Sequence, residues 1–568
     1  MLKTLLCIPP NYCYSYEFPP LGTPMLTGYL KEKGIDVIQK DYNMDYLNYF
    51  IKKIFNKNGL IKVPTSTASQ IFRCLMDKIF KIKLEKNYYY SSLLPRDHIK
   101  LDHINETNAS FQFAERLLSS EHLFRYIEDE RENTFLQFFW EEKILASLEE
   151  QKIKIVGISI TAPNQVVGAF TLGYLIKKNL PHVHVTIGGQ WVTLYREALK
   201  KKLEWNRFFD TMIIFEGETP LYGLITALSE NDDLSKVPNL IYKFDSRWEQ
   251  SKINSKENLD LLACPDFDGL PINDYTASQE DTGLCLTYQT ARECYWNKCI
   301  YCVDLPLPKQ GYRERDADLI IEDIKKMEKK YDLSFLKISN ATISPLQMKR
   351  FSEKIIETGL DFKWWVMARA DEGFNKEIFD LAKRAGCVAI DFGLESACQR
   401  VLNFIQKGII VDTAKRIIKD CHNAGIKVCL QMLIGLPSEK LEEAMDTIQF
   451  LIEDRNYISE VVFDNYYLTP ACEVYQNPQQ CDIDYRASPH LPFKFYYEYS
   501  HISGELTKEK GRDLIRLYRQ LEAKIRGEEV NNNSPSLIDL ILMQFPAHDL
   551  SLTVGDDKVS LSHQFKNV

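Results

Sequence analysis

Cys294, Cys299 and Cys302 stand close together in the stretch Ala291-Arg-Glu-Cys-Tyr-Trp-Asn-Lys-Cys-Ile-Tyr-Cys302, whereas Cys7, Cys285, Cys387 and Cys429 are scattered singly through apolar segments. The scattered cysteines read as small buried hydrophobes. Three thiolates converging from one loop have another use. Cysteine is the usual ligand of cuboidal iron–sulfur clusters, and three ligands for four irons leave one iron able to take a substrate-like ligand. A structural zinc site instead requires four ligands, usually as paired knuckles. No second cysteine pair at knuckle spacing follows here. Burial of all three as core residues is opposed by the charged Glu293 and Lys298 beside them. In a reducing compartment such a group points to metal rather than to cross-links.

The elements that must position these thiols form a β/α series. The cysteine stretch follows directly on a strand expected at 284–288, and further strands are expected at 335–339, 363–368, 388–393, 427–434 and 460–467. Helical patterns separate them, clearest at 317–330, 349–358, 376–385 and 411–424. Six such units suffice for a partial (β/α)6 barrel, and the loop after a barrel strand is where barrel enzymes place their chemistry. Ahead of it, strands expected at 4–8, 36–39, 153–160, 184–187 and 211–214 alternate with helices, which predicts an open, Rossmann-like parallel sheet. Residues 239–244 read as an edge strand. A charged helical insertion with interleaved aromatics (Phe135, Phe138, Phe139, Trp140) is expected over about 44–151. The chain is therefore α/β, with an N-terminal domain over 1–235, a linker over 236–279, the barrel over 280–475 and a mainly helical C-terminal region over 476–568.

Small and polar residues collect where the first sheet would meet a ligand. Gly22, Thr23 and Pro24, in the stretch Pro19-Pro-Leu-Gly-Thr-Pro24, precede a first helix expected at 26–33, Ser159 and Thr161 end a strand, Gly188, Gly189 and Gln190 end the next, and Glu216, Gly217 and Glu218 end another. Glycines at strand ends let backbone approach a flat ligand, and ligands of open parallel sheets lie beyond the carboxyl ends of the strands. Neither a GxGxxG nor a Walker pattern is present.

The cysteine stretch resembles the radical S-adenosylmethionine (SAM) superfamily. Its commonest motif has three residues between the first two cysteines and an aromatic before the third; this chain has four, and keeps the aromatic as Tyr301. The resemblance covers about 280–475 and implies a 4Fe–4S cluster on Cys294, Cys299 and Cys302, with Tyr301 near the SAM adenine. It also implies SAM contacts from Asn340 and Arg369 at strand ends, and from Glu395 and Ser396 in the segment Gly393-Leu-Glu-Ser396. The strand-end motifs, with Gly157-Ile-Ser-Ile-Thr161, are similar to the cobalamin-binding domain that precedes many radical SAM domains, over about 1–235. That likeness makes the eleven strand-end and helix-start residues named above corrin contacts. It also shows a departure, Gln190-Trp191 standing where relatives often carry Pro-His. The implied reaction is cleavage of SAM to a 5′-deoxyadenosyl radical, hydrogen abstraction from an unactivated carbon and methyl transfer from methylcobalamin. A cobalamin-dependent rearrangement or cyclisation is the alternative, and a non-catalytic corrinoid or redox sensor the alternative of another class. A small-molecule or peptide substrate and an external electron donor of flavodoxin or ferredoxin type are implied as partners. Specificity is expected from the insertion and from the region after 470, which contains the aromatic stretch 493–499.

One motif is set aside. Asp420-Cys-His-Asn-Ala-Gly425 matches the DxHxxG by which other cobalamin proteins supply a histidine to cobalt, but it falls at a helix-to-strand turn of the barrel. Gly425 is better explained as a helix C-cap and His422 as a last-turn residue favourable to the helix dipole.

A net charge of −9 provides no basic field for nucleic acid or an acidic membrane. No run of 18 apolar residues provides a membrane span. The N-terminus lacks the long apolar core of a signal peptide, so a cytoplasmic location is expected.

Overall fold

The computed structural model describes residues 2–11, 18–55, 120–128, 133–253, 256–275, 283–302, 311–470, 472–486, 497–504, 506–525, 550–555 and 558–563. Two parallel sheets dominate it.

Strand β1 (Thr4–Ile8) is buried along its whole length, as an uninterrupted apolar run in the middle of a parallel sheet must be. Helix α1 (Gly22–Glu32) leads into β2 (Val37–Asp41), and α2 (Tyr42–Phe55), α3 (Ser120–Glu128), α4 (Thr134–Glu141) and α5 (Ile144–Glu150) into β3 (Ile155–Ser159). Helix α6 (Val166–Asn179), β4 (His184–Gly188), α7 (Gln190–Lys200), β5 (Thr211–Ile213) and α8 (Glu218–Glu230) follow, then β6 (Leu240–Phe244) and β7 (Arg247–Gln250). The sheet order is β2-β1-β3-β4-β5-β6-β7, parallel through β5 and antiparallel beyond it.

Alternation along β1 divides the core. Leu5 and Cys7 face a layer built from α2 to α7, while Leu6 faces α1 and α8. The described part of the 44–151 insertion is therefore core. Tyr46 is ringed by Phe135 at 4.9 Å and Phe138 at 5.4 Å, and its hydroxyl meets Thr134 Oγ1 at 2.8 Å. Phe135, Phe138 and Phe139 are fully buried and Trp140 is half exposed. Residues 239–244, expected as an edge strand, form β6, while 247–250, expected within the linker, add β7 as a further strand beyond it. Asp245 takes left-handed backbone (φ 51°) between β6 and β7, and Leu240 and Ile241 drop into the two opposite core layers.

The second sheet starts with β8 (Leu284–Tyr288). A two-stranded ribbon follows, β9 (Ala291–Arg292) paired antiparallel with β10 (Arg313–Glu314), and it closes the base of the cysteine loop. Then come α9 (Ala317–Tyr331), β11 (Leu333–Ile343), α10 (Pro345–Thr358), β12 (Lys363–Ala368), α11 (Lys376–Arg384), β13 (Cys387–Glu395), α12 (Gln399–Phe404), α13 (Val411–Asn423), β14 (Lys427–Ile434), α14 (Leu441–Glu453) and β15 (Glu460–Asn465). The six long strands pair in parallel in the order β15-β14-β13-β12-β11-β8, a curled half-barrel with its helices outside. Asp316, Ser344 and Asn375 cap α9, α10 and α11 through their side chains, which fixes where each β/α turn ends.

After β15 the chain forms the short α15 (Glu473–Gln476), a hairpin of β16 (Ile483–Tyr485) and β17 (Tyr499–His501), helix α16 (Lys508–Ile525), and a hairpin of β18 (Leu550–Gly555) and β19 (Lys558–His563). Helix α16 packs against β15, with Tyr518 edge-on to Phe463 at 5.5 Å. The region expected as mainly helical thus also carries two small antiparallel hairpins. No helix among the described residues is long and apolar enough to cross a membrane.

Candidate functional site

Both sheets turn their carboxyl ends toward one cavity of about 1000 Å³. That volume lies at the upper end of the ~300–1,000 Å³ typical of small-ligand sites.

The first sheet and its helices supply a floor in which glycines and short polar side chains stand beside apolar ones such as Leu6, Leu26, Ile213, Phe215 and Leu221. Gly22, Thr23, Ser159 and Thr161 line it, as do Gly188, Gly189 and Gln190 and the run Glu216 to Glu218. Pro24 does not; it is buried, and its carbonyl accepts from Asp266 N–H at 3.0 Å. Gly189 takes φ 105°, and a Cβ there would come 2.5 Å from the Ile160 carbonyl oxygen, so the turn into α7 admits only glycine without strain. Beyond it Gln190 is exposed to the cavity, whereas Trp191 is buried, its indole 6.2 Å from Phe170 and 5.2 Å from Tyr195. The bulky residue of the Gln190-Trp191 departure therefore belongs to the core and leaves the floor clear.

The half-barrel supplies the facing wall. Cys294, Cys299 and Cys302 all line the cavity and all are partly exposed. Among the described residues no three His, Cys, Asp or Glu side chains are gathered to grip a single ion. A cuboidal cluster makes a different demand, one thiolate for each of three irons, and the three thiols on one wall fit it. Trp296 anchors the extra residue of the loop. Its Nε1 donates to the Gln406 carbonyl at 2.7 Å, and its indole lies over Gly408 (φ 67°), where any Cβ would collide with the ring. Arg369 is buried behind the loop, its guanidinium 4.7 Å from the Trp296 ring and 5.9 Å from the Tyr295 ring. It donates to the Lys407 carbonyl at 2.5 Å and approaches Cys299 Sγ at 4.0 Å. Burial pushes the Cys299 thiol up, while the charges of Lys407 and Arg369 pull the other way.

Several residues expected to touch SAM are committed to holding this loop. Asn340 is buried yet borders the cavity; its Oδ1 accepts from Thr290 N–H at 2.9 Å and Ala291 N–H at 3.2 Å, and its Nδ2 donates to Thr290 Oγ1 at 2.7 Å. Lys407, which sequence reasoning missed, donates to Tyr301 Oη at 3.0 Å and to Glu395 Oε1 at 2.9 Å. Tyr301, Arg369, Glu395 and Ser396 do not border the cavity. Ser396 accepts from Cys398 N–H at 3.1 Å at the turn into α12. His422 packs edge-on against Tyr457 at 5.5 Å, and Gly425 (φ 78°) closes α13 by donating to the His422 carbonyl. Of the region after 470, Glu473 reaches the cavity. Tyr497 packs on Tyr475 at 5.0 Å and Tyr499 donates to the Gly435 carbonyl at 2.6 Å, while 493–496 lie outside the described residues. The described part of the insertion contributes nothing to the cavity wall.

The same stretch carries the decisive match: residues 288–451 fit the radical SAM superfamily. The match runs from the end of β8 into α14. Over 305 residues the chain is 28% identical to an uncharacterized methyltransferase of Pyrococcus horikoshii, covering 52% of this chain and 63% of that one. Over 315 residues it is 24% identical to an anaerobic magnesium-protoporphyrin IX monomethyl ester cyclase of Rubrivivax gelatinosus, covering 54% of this chain and 55% of that one. The matched stretches thus span less than two thirds of either curated relative. The fold extends the likeness beyond the matched stretch. The cobalamin-dependent radical SAM enzyme OxsB superposes with a TM-score of 0.61 at 13% identity, over 92% of this chain and 67% of that one. The radical SAM methyltransferase TsrM from Kitasatospora setae, with cobalamin and a 4Fe–4S cluster bound, gives 0.56 at 15% identity, over 87% and 85%.

Proposed function

We propose that the protein is a cobalamin-dependent radical SAM methyltransferase, acting on an unactivated carbon of a small-molecule or peptide substrate. The observation that carries this reading is the single cavity with two unlike walls. Three cysteines of a radical SAM domain face a glycine- and hydroxyl-rich floor at the carboxyl ends of a second parallel sheet.

In this reading Cys294, Cys299 and Cys302 hold a 4Fe–4S cluster, and the floor from Gly22 to Gly217 seats the corrin. When bound, the cluster with SAM supplies a 5′-deoxyadenosyl radical and the corrinoid supplies a methyl group, chemistry that belongs to the cofactors rather than to side chains. The chain's part is placement. Asn340 ties the strand that leads into the cysteine loop, and Trp296 and Arg369 hold the loop's far side. Gly189 lets the turn into α7 close directly on the Ile160 backbone, which sets the position of the floor. With Gln190 and the hydroxyls of Ser159 and Thr161 at this floor, cobalt would lack a histidine from the strand-end motifs.

The likeness to magnesium-protoporphyrin cyclases favours a second reading, a cobalamin-dependent cyclisation. The two are separated by anaerobic incubation of reconstituted protein with reductant, hydroxocobalamin and SAM carrying a deuterated methyl group. Label entering the corrinoid supports methyl transfer. Formation of 5′-deoxyadenosine with no labelled corrinoid contradicts it and leaves the cyclisation reading.

A further inference from the structure

The acidic strand-end segment of the first sheet does not point at an open floor. Glu216 and Glu218 are turned to the other domain. Arg292 of β9, two residues before Cys294, pairs through Nη1 with Glu216 Oε1 and through Nη2 with Glu218 Oε1. Arg313 of β10, where the chain returns from the cysteine loop, grips both oxygens of Glu216 at 2.8 and 3.1 Å. It also holds Glu293 Oε1 at 2.7 Å and the Glu257 carbonyl at 2.7 Å. The five side chains are 4–15% exposed, so solvent screens them little. Burial alone would raise the Glu216 carboxyl, but Arg313 and Arg292 hold it below the usual carboxylate range.

The arrangement is asymmetric in a telling way. Glu216 is shared by one arginine at the entrance to the cysteine loop and another at its exit. Glu293, between Arg292 and Cys294, takes left-handed backbone (φ 63°), a conformation costly for a side chain with a Cβ unless surroundings enforce it. Its carboxylate is pulled onto Arg313. The base of the loop is thereby closed by the β9–β10 ribbon and fastened to the strand end that borders the floor.

We infer that Arg292 and Arg313 with Glu216 and Glu218 form a latch that fixes the cysteine loop against the floor and couples the two cofactor sites. The inference rests on the two-cofactor reading and adds positioning residues to it. Two-pronged arginine–carboxylate pairs suit the task because their geometry is directional, and domains joined by a polar interface otherwise move relative to one another. Glu216 and Glu218, which the sequence suggested as corrin contacts, serve here as the floor's half of the latch.

The test is a charge swap read by amide hydrogen exchange and by coupling. Arg292→Glu places a carboxylate against Glu216 and Glu218; exchange should rise about tenfold in both the 214–219 and 291–302 segments, since both lose local stability. The ratio of methyl label reaching corrinoid to 5′-deoxyadenosine formed should fall in parallel. Combining Arg292→Glu with Glu218→Arg restores opposite charges and should recover most of the protection and the ratio. If Arg292→Glu alone fails to fold, the single variant Glu218→Gln, measured beside the unaltered protein and the double swap, carries the comparison. Exchange that rises only in 291–302, or a swap no better than the single variant, would overturn the latch. Absence of 5′-deoxyadenosine from the unaltered protein contradicts the proposed function instead, and leaves the exchange result readable.

Discussion

The two walls of the cavity are made in opposite ways. The first sheet is covered by helices on both faces, so its strands spend most side chains on two core layers and meet the cavity mainly toward their carboxyl ends. What reaches the cavity there includes glycines and short hydroxyls, with Leu26, Phe215 and Leu221 beside them. The second sheet is covered on its convex face alone. Strand β14 alternates buried residues with partly exposed ones, Cys429 and Gln431 on the concave side, and its loops carry thiols and charges to the rim. A sheet covered on both sides can offer a flat seat; a curled, half-open one can offer ligands. The difference explains why one wall suits a planar molecule and the other a metal cluster.

Changes on either wall should therefore separate. Replacing Cys294, Cys299 or Cys302 with alanine should abolish iron retention and SAM cleavage, measured by iron content and chromatography of 5′-deoxyadenosine, while corrinoid binding persists. Loss of corrinoid in the same variants would show that the floor cannot hold its ligand without the cluster. Gly189→Val should do the converse. Its side chain must occupy positive-φ backbone and would press into the Ile160 backbone, a local cost of ~1–3 kcal/mol, so the turn that shapes the floor must shift. Corrinoid affinity, read by absorbance titration, should drop at least about tenfold, equivalent to ~1.4 kcal/mol, with the iron content retained.

A subtler effect is expected behind the cysteine loop. Arg369 is a buried cation beside Cys299, and a nearby positive charge favours the more negative, reduced form of a cluster. Arg369→Gln should shift the midpoint potential to more negative values in an EPR-monitored titration; an unchanged potential would remove Arg369 from the electrostatics of the site. The smallest effect concerns Glu439 at the turn after β14. Burial pushes its carboxyl up to about 8, against hydrogen bonds donated by Gly435 and Leu436 N–H. Unfolding then releases a proton between the ordinary glutamate value near ~4.3 and about 8. Stability should fall as pH rises through that window, and Glu439→Gln should flatten the dependence of Tm on pH.

Chemistry written in consecutive residues is legible in the sequence. The cysteine stretch and the strand-end glycines are local, and the period of buried strands places both sheets. The spacing of Phe135, Phe138 and Phe139 already marks a buried helical face. Strand β7 is not legible in the same way, because Arg247–Gln250 is short, polar and at the sheet edge. Nor is the fate of Trp191, since the first turn of a helix can aim adjacent residues at cavity and core alike. Least visible are the contacts that join the walls. Arg292 meets Glu218 across 74 residues and Arg313 meets Glu216 across 97, and Lys407 carries no motif. Such pairs exist only once the two sheets are folded against each other.

The central claim is that one cavity holds an iron–sulfur cluster opposite a corrinoid. It is tested most directly by anaerobic reconstitution with iron, sulfide and hydroxocobalamin, followed by incubation with SAM and dithionite. About four irons per chain, bound corrinoid and 5′-deoxyadenosine are the predicted result. Zinc in place of iron, or SAM left intact by a fully loaded protein, would contradict it.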